Sequence, residues 1–210
     1  MEQLVTIPSG DVTLEGALTL TGSSTPVVIT CHPHPHYGGS MYNNVVEALR
    51  DELSSRGFSI LRFNFRGVGN SGGTSIGDLD DYRDVSAAAK FLKQHESTKN
   101  RPLLMAGYSY GAWVGIRHAL DDWDILAWAA VSPPVSFFDF SYLTDPGVPV
   151  YFISGDRDDF CDLESLRHLV EGLPGQKRLE VVPGADHFYV GYEQEMAQSV
   201  GQFFSDMFPS

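Results

Sequence analysis

The stretch Pro102 to Leu120, PLLMAGYSYGAWVGIRHAL, constrains this chain more than any other. A short apolar run ends there at a glycine-flanked serine, and a longer amphipathic run begins. Pro102 to Ala106 is too short and too evenly apolar for a surface helix, so it reads as a buried strand, while Trp113, Ile116 and Leu120 recur at helical spacing. A G-x-S-x-G turn between strand and helix holds its serine, here Ser109, in a strained conformation with Oγ raised above the sheet edge. Gly107 and Gly111 keep side chains out of that crowded turn, and the Tyr110 backbone N–H, at the helix N-terminus, points at an oxygen that becomes negative during acyl transfer. The bland reading of the same residues is a tight connection whose serine caps the helix. Partners for Ser109 decide between the two.

Leu4 to Pro8 and Val12 to Leu20 read as an edge hairpin around Ser9-Gly10-Asp11. Further strands are expected at Val27 to Thr30, Ser59 to Phe65, Ile125 to Val131, Pro149 to Gly155 and Leu179 to Val182. Helices are expected at Asn43 to Ser55, Leu79 to His95, Leu163 to Leu173 and Tyr192 to Met207, the last with Met196, Val200, Phe203 and Phe204 at core spacing. Strands alternating with helices predict an α/β fold, a mainly parallel sheet covered on both faces. With 210 residues and no linker or repeat, one domain over 1–210 is expected, burying roughly 70–75% of its unfolded surface. Asp78, Asp80 and Asp81 fall at a helix start, where they cap free N–H groups, a structural role favoured over an acidic metal site.

The 27 acidic residues outnumber the 14 basic ones, for a net charge of −13, which repels phosphate backbones and anionic headgroups. Nucleic-acid and membrane partners are therefore not expected. The opening MEQLVTIPSG lacks a basic segment followed by an apolar one, and no apolar run is long enough to span a bilayer, so a cytoplasmic protein is expected. Cys31 and Cys161 are too few for a disulfide scaffold and are expected reduced and partly buried, each just past a strand's end and within reach of the site.

In such a sheet, loops at the C-terminal strand ends share one crevice. Four of them carry chemistry: CHPHPHYGG, the Ser109 turn, SGDRDDF and PGADHF. His187 is the candidate base, since an imidazole of near-neutral pKa can take the serine proton and return it to a leaving group. An acid must fix its tautomer, and Asp156, Asp158, Asp159 and Asp162 compete for that place.

The order serine, aspartate, histidine and the GYSYG turn resemble the alpha/beta-hydrolase superfamily. Gly155-Asp156-Arg157-Asp158 is similar to that family's G-x-x-D acid loop, which singles out Asp158, and FRGVGNS resembles its R-G-x-G-x-S turn. With HPHPHYGG, the resemblance points to small lidless dienelactone-hydrolase-like serine hydrolases and covers nearly the whole chain. It implies an eight-stranded sheet with the second strand antiparallel, and hydrolysis of acyl bonds by Ser109, His187 and Asp158. Serine at the turn departs from dienelactone hydrolase itself, so that substrate does not carry over. A carboxylesterase acting on small or medium acyl esters is expected; a thioesterase, a small peptidase or a non-catalytic ligand-binding member are the alternatives.

The CHPHPHYGG loop matches the family's oxyanion loop, whose second donor is a backbone N–H. Pro33 and Pro35 have none, which leaves His34 favoured over His36, on a segment the prolines hold extended. The three histidines spaced by two could instead ligate zinc, but no cysteine or carboxylate at metal spacing accompanies them. Gly67, Gly69 and Gly72 spell G-x-G-x-x-G, yet a further loop rather than a helix follows, so no dinucleotide is expected and Arg66 is read as a loop anchor. No cofactor or metal is expected. Between Val131 and Pro149, where larger relatives insert a lid, the segment is short. Its Phe137, Phe138, Phe140 and Tyr142 are candidates to wall an acyl pocket open to a small-molecule acyl substrate, with core packing the competing role.

Overall fold

VVITC, SILRF, LLMAGY, ILAWAAV and VYFISG are buried at every position but one. Runs of that kind are covered on both faces, as the centre of a parallel sheet must be. The computed structural model of the protein describes residues 2–22, 25–121 and 124–209. Among them, β1 (Glu2–Ser9), β2 (Val12–Thr19), β3 (Val27–Cys31), β4 (Ser59–Phe63), β5 (Leu103–Tyr108), β6 (Ile125–Val131), β7 (Val150–Gly155) and β8 (Lys177–Val182) form one sheet in the order β1-β2-β4-β3-β5-β6-β7-β8. β2 is antiparallel to both its neighbours and every other pairing is parallel, so the expected α/β sheet of eight strands with its second strand reversed is what the chain forms.

Side chains alternate across the strands into two cores. Ile29, Met105, Trp128 and Phe152 meet residues of α2 (Tyr82–Gln94), α3 (Tyr110–Ala119) and α4 (Leu163–Gly172). Val28, Leu104, Tyr151 and Ile153 meet α1 (Asn44–Ser55) and α5 (Glu193–Met207) on the other face. Each such side chain contributes about 1.5–3 kcal/mol by leaving water. Local chemistry fixes the helix starts: the Asn43 side chain accepts from the Val45 N–H, and that of Asp162 from the Ser165 N–H.

The helix expected from Leu79 opens as a 3-10 turn, Leu79–Asp81, with the Asp78 side chain capping the Asp80 N–H. Asp81 does not cap, which corrects its expected role. Its carboxylate is buried and accepts from the Ser75 and Tyr110 hydroxyls. Arg66 is the expected loop anchor, clamped on the buried Asp84 carboxylate, which also accepts from Ser9 Oγ. Between β6 and β7, residues 132–149 contain no helix or strand.

Register places the site. Cys31 lies beside Gly107, Tyr108 beside Val131, Val131 beside Ile153, and Gly155 beside Val182. The C-terminal ends of five neighbouring strands therefore open their loops along one edge.

Candidate active site

Ser109 stands at φ 55° and ψ −121°, between β5 and α3. Only a backbone held from all sides keeps a residue other than glycine there. The Ser109 N–H donates to the Val131 carbonyl at 2.8 Å, and the Ala112 N–H donates to the Ser109 carbonyl at 2.9 Å. The two glycines allow the turn to close: a Cβ on Gly107 would stand 2.4 Å from the Gly111 carbonyl oxygen, and one on Gly111 would stand 2.3 Å from that of Cys31. The hydroxyl makes no capping bond to α3, which removes the helix-cap reading. It lies 2.9 Å from His187 Nε2 instead.

His187 Nδ1 in turn lies 2.9 Å from both oxygens of Asp158. Serine, histidine and aspartate are 8%, 6% and 8% exposed, so the series is shielded yet reachable from the rim. Burial alone raises the Asp158 carboxyl, but hydrogen bonds and charge from His187, with a further bond from the Phe160 N–H, outweigh it and hold the group below the ordinary aspartate value. An ionised carboxylate only accepts, so Nδ1 carries the ring proton and the bare Nε2 accepts from Ser109 Oγ–H. Asp158 also accepts from Ser154 Oγ at 3.2 Å and from the Phe160 and Cys161 N–H groups at 2.9 and 3.0 Å.

The other three aspartates are elsewhere. Asp156 accepts from the Gly184 N–H, Asp162 caps α4, and Asp159 is exposed. The loop carrying His187 is tied to the serine turn by Tyr108, whose hydroxyl donates to the His187 carbonyl at 2.7 Å.

On the other side of Ser109, the Tyr110 backbone N–H has no protein partner among the described residues. The His34 N–H is equally unengaged, whereas the His36 N–H donates to His34 Nδ1 at 3.2 Å. Of the two candidate N–H groups on the His-Pro loop, His34 is thus the one without a protein partner among the described residues, and the segment is not held extended as expected, because Pro35–Tyr37 turns as a 3-10 helix. Its ring packs on that of Tyr110 at 4.5 Å, and the Tyr110 hydroxyl is shared between Asp81 Oδ2 and the Asp78 carbonyl at 2.7 and 2.8 Å.

A family model described as the alpha/beta hydrolase family matches residues 28–146. The chain belongs to the alpha/beta hydrolase family. A second model, described as PhoPQ-activated pathogenicity-related protein, is similar over residues 109–209. An uncharacterized protein of Rickettsia prowazekii (strain Madrid E) is 31% identical, over 87% of this chain and 80% of its own. A structure from Xanthomonas campestris, described as an alpha/beta serine hydrolase without lid, is 29% identical, with a TM-score of 0.88 over 100% of this chain and 96% of its own. Dienelactone hydrolase from Anabaena variabilis shares the fold at a TM-score of 0.82 and 20% identity, over 98% of this chain and 97% of its own.

Other residues singled out from the sequence take definite places in this family member. His32 is fully buried with Nδ1 against the Pro33 carbonyl, and Nε2 accepts from the Phe65 N–H at 3.0 Å. Burial pushes its pKa down to about 4, so it is a neutral brace between β3 and the chain leaving β4. With His36 Nε2 on the Ser75 carbonyl, the three histidines bond to backbone, and among the described residues no group of three metal-ligating side chains converges. Cys31 and Cys161 are fully buried and unpaired, not partly buried as expected. Cys161 does come within the Asp158 loop, and burial pushes its thiol up to about 12. Among the described residues no helix is long and apolar enough to cross a membrane.

The aromatic segment divides. Phe138 packs at 4.3 Å on Trp113, at 6.1 Å on Tyr110 and at 6.3 Å on His34. Tyr142 donates its hydroxyl to the Trp113 carbonyl and braces α3, and Phe140 is buried. Phe137 is 66% exposed and turns the other way, 5.4 Å from Phe160. Phe160 and Phe188, which face His187 at 4.6 and 5.8 Å, are missed by a sequence reading confined to this segment. Their signal was adjacency: one follows Asp158 by two residues, the other follows His187 directly.

Proposed function

We propose that the protein is a serine hydrolase, a carboxylesterase acting on neutral esters. The observation that carries the reading is the series of 2.9 Å contacts from Ser109 Oγ through His187 to Asp158, built on a strained turn that serves no capping purpose. Ser109 Oγ attacks the acyl carbon while its proton passes to His187 Nε2, and Asp158 stabilises the imidazolium. The oxyanion is held by the Tyr110 and His34 N–H groups, which cost no reorganisation because the turn and the paired prolines fix them beforehand. His187 then returns the proton to the departing alcohol, and water enters by the same base to release the acid and free Ser109.

Phe138 is placed to touch the acyl group, and the open edge suits substrates that need no lid to move. Steady-state hydrolysis of methyl and ethyl esters by wild type, Ser109→Ala and His187→Ala tests the reading. Turnover by wild type and its loss in both variants is expected; turnover that survives in Ser109→Ala contradicts it.

A further inference from the structure

Three phenylalanines stand exposed around His187, and the chemistry just described uses none of them. Phe137, Phe160 and Phe188 are 66%, 40% and 56% exposed and come from three separate loops, after β6, β7 and β8. They form one contiguous rim: Phe137 lies 5.4 Å from Phe160, and Phe160 lies 6.3 Å from Phe188. Phe160 tilts 32° over the imidazole of His187 at 4.6 Å, and Phe188 meets it edge-on at 5.8 Å. Shielding the imidazole accounts for Phe160 alone. The outer two rings stay in water in a chain of net charge −13, where a clustered apolar surface of this kind marks a binding site.

Direction follows from the proposed mechanism, on which this inference rests. In the tetrahedral intermediate the oxyanion faces Tyr110 and His34, and the oxygen that leaves must face His187 Nε2, the only source of its proton. The alcohol half of the ester therefore lies along the imidazole, against the three rings. The acyl half lies toward Phe138, whose partners are Trp113, Tyr110 and His34.

We propose that Phe137, Phe160 and Phe188 form a leaving-group subsite and that the enzyme selects esters of apolar, ring-bearing alcohols. The balance of the step is unchanged: the Ser109 Oγ–carbon bond forms, the bond from carbon to the alcohol oxygen breaks, and the alcohol leaves with the proton carried by His187. The rings act by contact with the alcohol's apolar body, stacking offset or edge-on as aromatic pairs do.

The test compares methyl, cyclohexylmethyl and benzyl acetate, which share one acyl group, in wild type and in the double variant Phe137→Ala/Phe188→Ala. Neither substituted ring touches Ser109, and both are exposed, so folding is not at stake. In wild type, kcat/KM is expected to be at least tenfold higher for benzyl than for methyl acetate, and that ratio should fall about tenfold in the double variant, a size ordinary for loss of an apolar contact. Phe188→Leu, which keeps an apolar side chain, should retain part of the ratio. A ratio that is the same in wild type and double variant overturns the subsite, as does a change confined to a series of methyl esters with varied acyl chains. An unchanged ratio accompanied by a shift from dimer to monomer in sedimentation makes the rim a contact between copies and likewise overturns it. Labelling of Ser109 by a fluorophosphonate separates the two levels: if it persists, only the subsite fails, and if it is absent along with all ester turnover, the hydrolase reading fails with it.

Discussion

Asp158 and Asp156 lie two positions apart on one loop, and the geometry gives them different work: one carboxylate meets His187, the other meets the Gly184 N–H. Asp158→Asn places an amide where the ring proton must be accepted and should lower kcat by about 10³–10⁴. Asp156→Asn should lower it less than about tenfold in the same assay. Equal losses would reassign the acid. The proposed oxyanion donor on the His-Pro loop can be tested as narrowly, because His34 sits at φ −54°, a value proline adopts. His34→Ala removes the ring and keeps the N–H, whereas His34→Pro removes both. The proline variant should be slower than the alanine one by a further ~10²–10³ in kcat, the usual cost of one such donor. Serine, histidine and the four competing aspartates were legible as residue types on loops that follow strands. Which aspartate serves was not, because it depends on where the Phe160 and Cys161 N–H groups and Ser154 Oγ point after the loop closes.

At the scale of elements, the turn between β5 and α3 works only because the end of β3 presses against it. Gly111 admits the Cys31 and His32 carbonyl oxygens to 2.3 and 2.6 Å of where a Cβ would be, and both are backbone atoms that cannot swing aside. Gly111→Ala should therefore cost about 1–3 kcal/mol and lower Tm by about 2–10 °C, with a loss of activity as the His-Pro loop shifts. Gly172→Ala, at the end of α4 with nothing within 4 Å, is the control and should change Tm by no more than a few degrees in a thermal melt. The strands and helices were readable within a few residues, since continuous apolar runs and helical spacing reflect the two-sided core directly. Local pattern hid the rest. Positive φ at Ser132 and Tyr189, whose side chains meet at 3.0 Å behind Asp158, belongs to ordinary-looking residues. Asp81 reads as a cap in sequence and becomes a buried acceptor for Tyr110 because the chain makes a 3-10 turn before α2 begins.

For the molecule as a whole, the carboxylates that dominate its charge also set its response to acid. Asp158, held below its ordinary value of 3.8, binds its proton less readily folded than unfolded, so the stability it contributes is complete above 3.8 and is lost as pH falls through the lower folded value. Chemical denaturation of wild type and Asp158→Asn across that window should show the shallower dependence on pH in the variant, which no longer titrates there; parallel curves would mean that Asp158 is not coupled to folding. Everything at this scale converges on the sheet edge, where the ends of β5, β7 and β8 bring a hydroxyl, a carboxylate and an imidazole into one line, the first two 78 and 29 residues from the imidazole in sequence. Intact-mass and peptide mapping after brief exposure to a fluorophosphonate measures whether that line activates the serine. One adduct per chain on the peptide carrying Ser109, absent in Ser109→Ala and much slower to form in His187→Ala, is the expected result. No adduct on Ser109 in folded wild-type protein, or an adduct that forms as fast without His187, would contradict it.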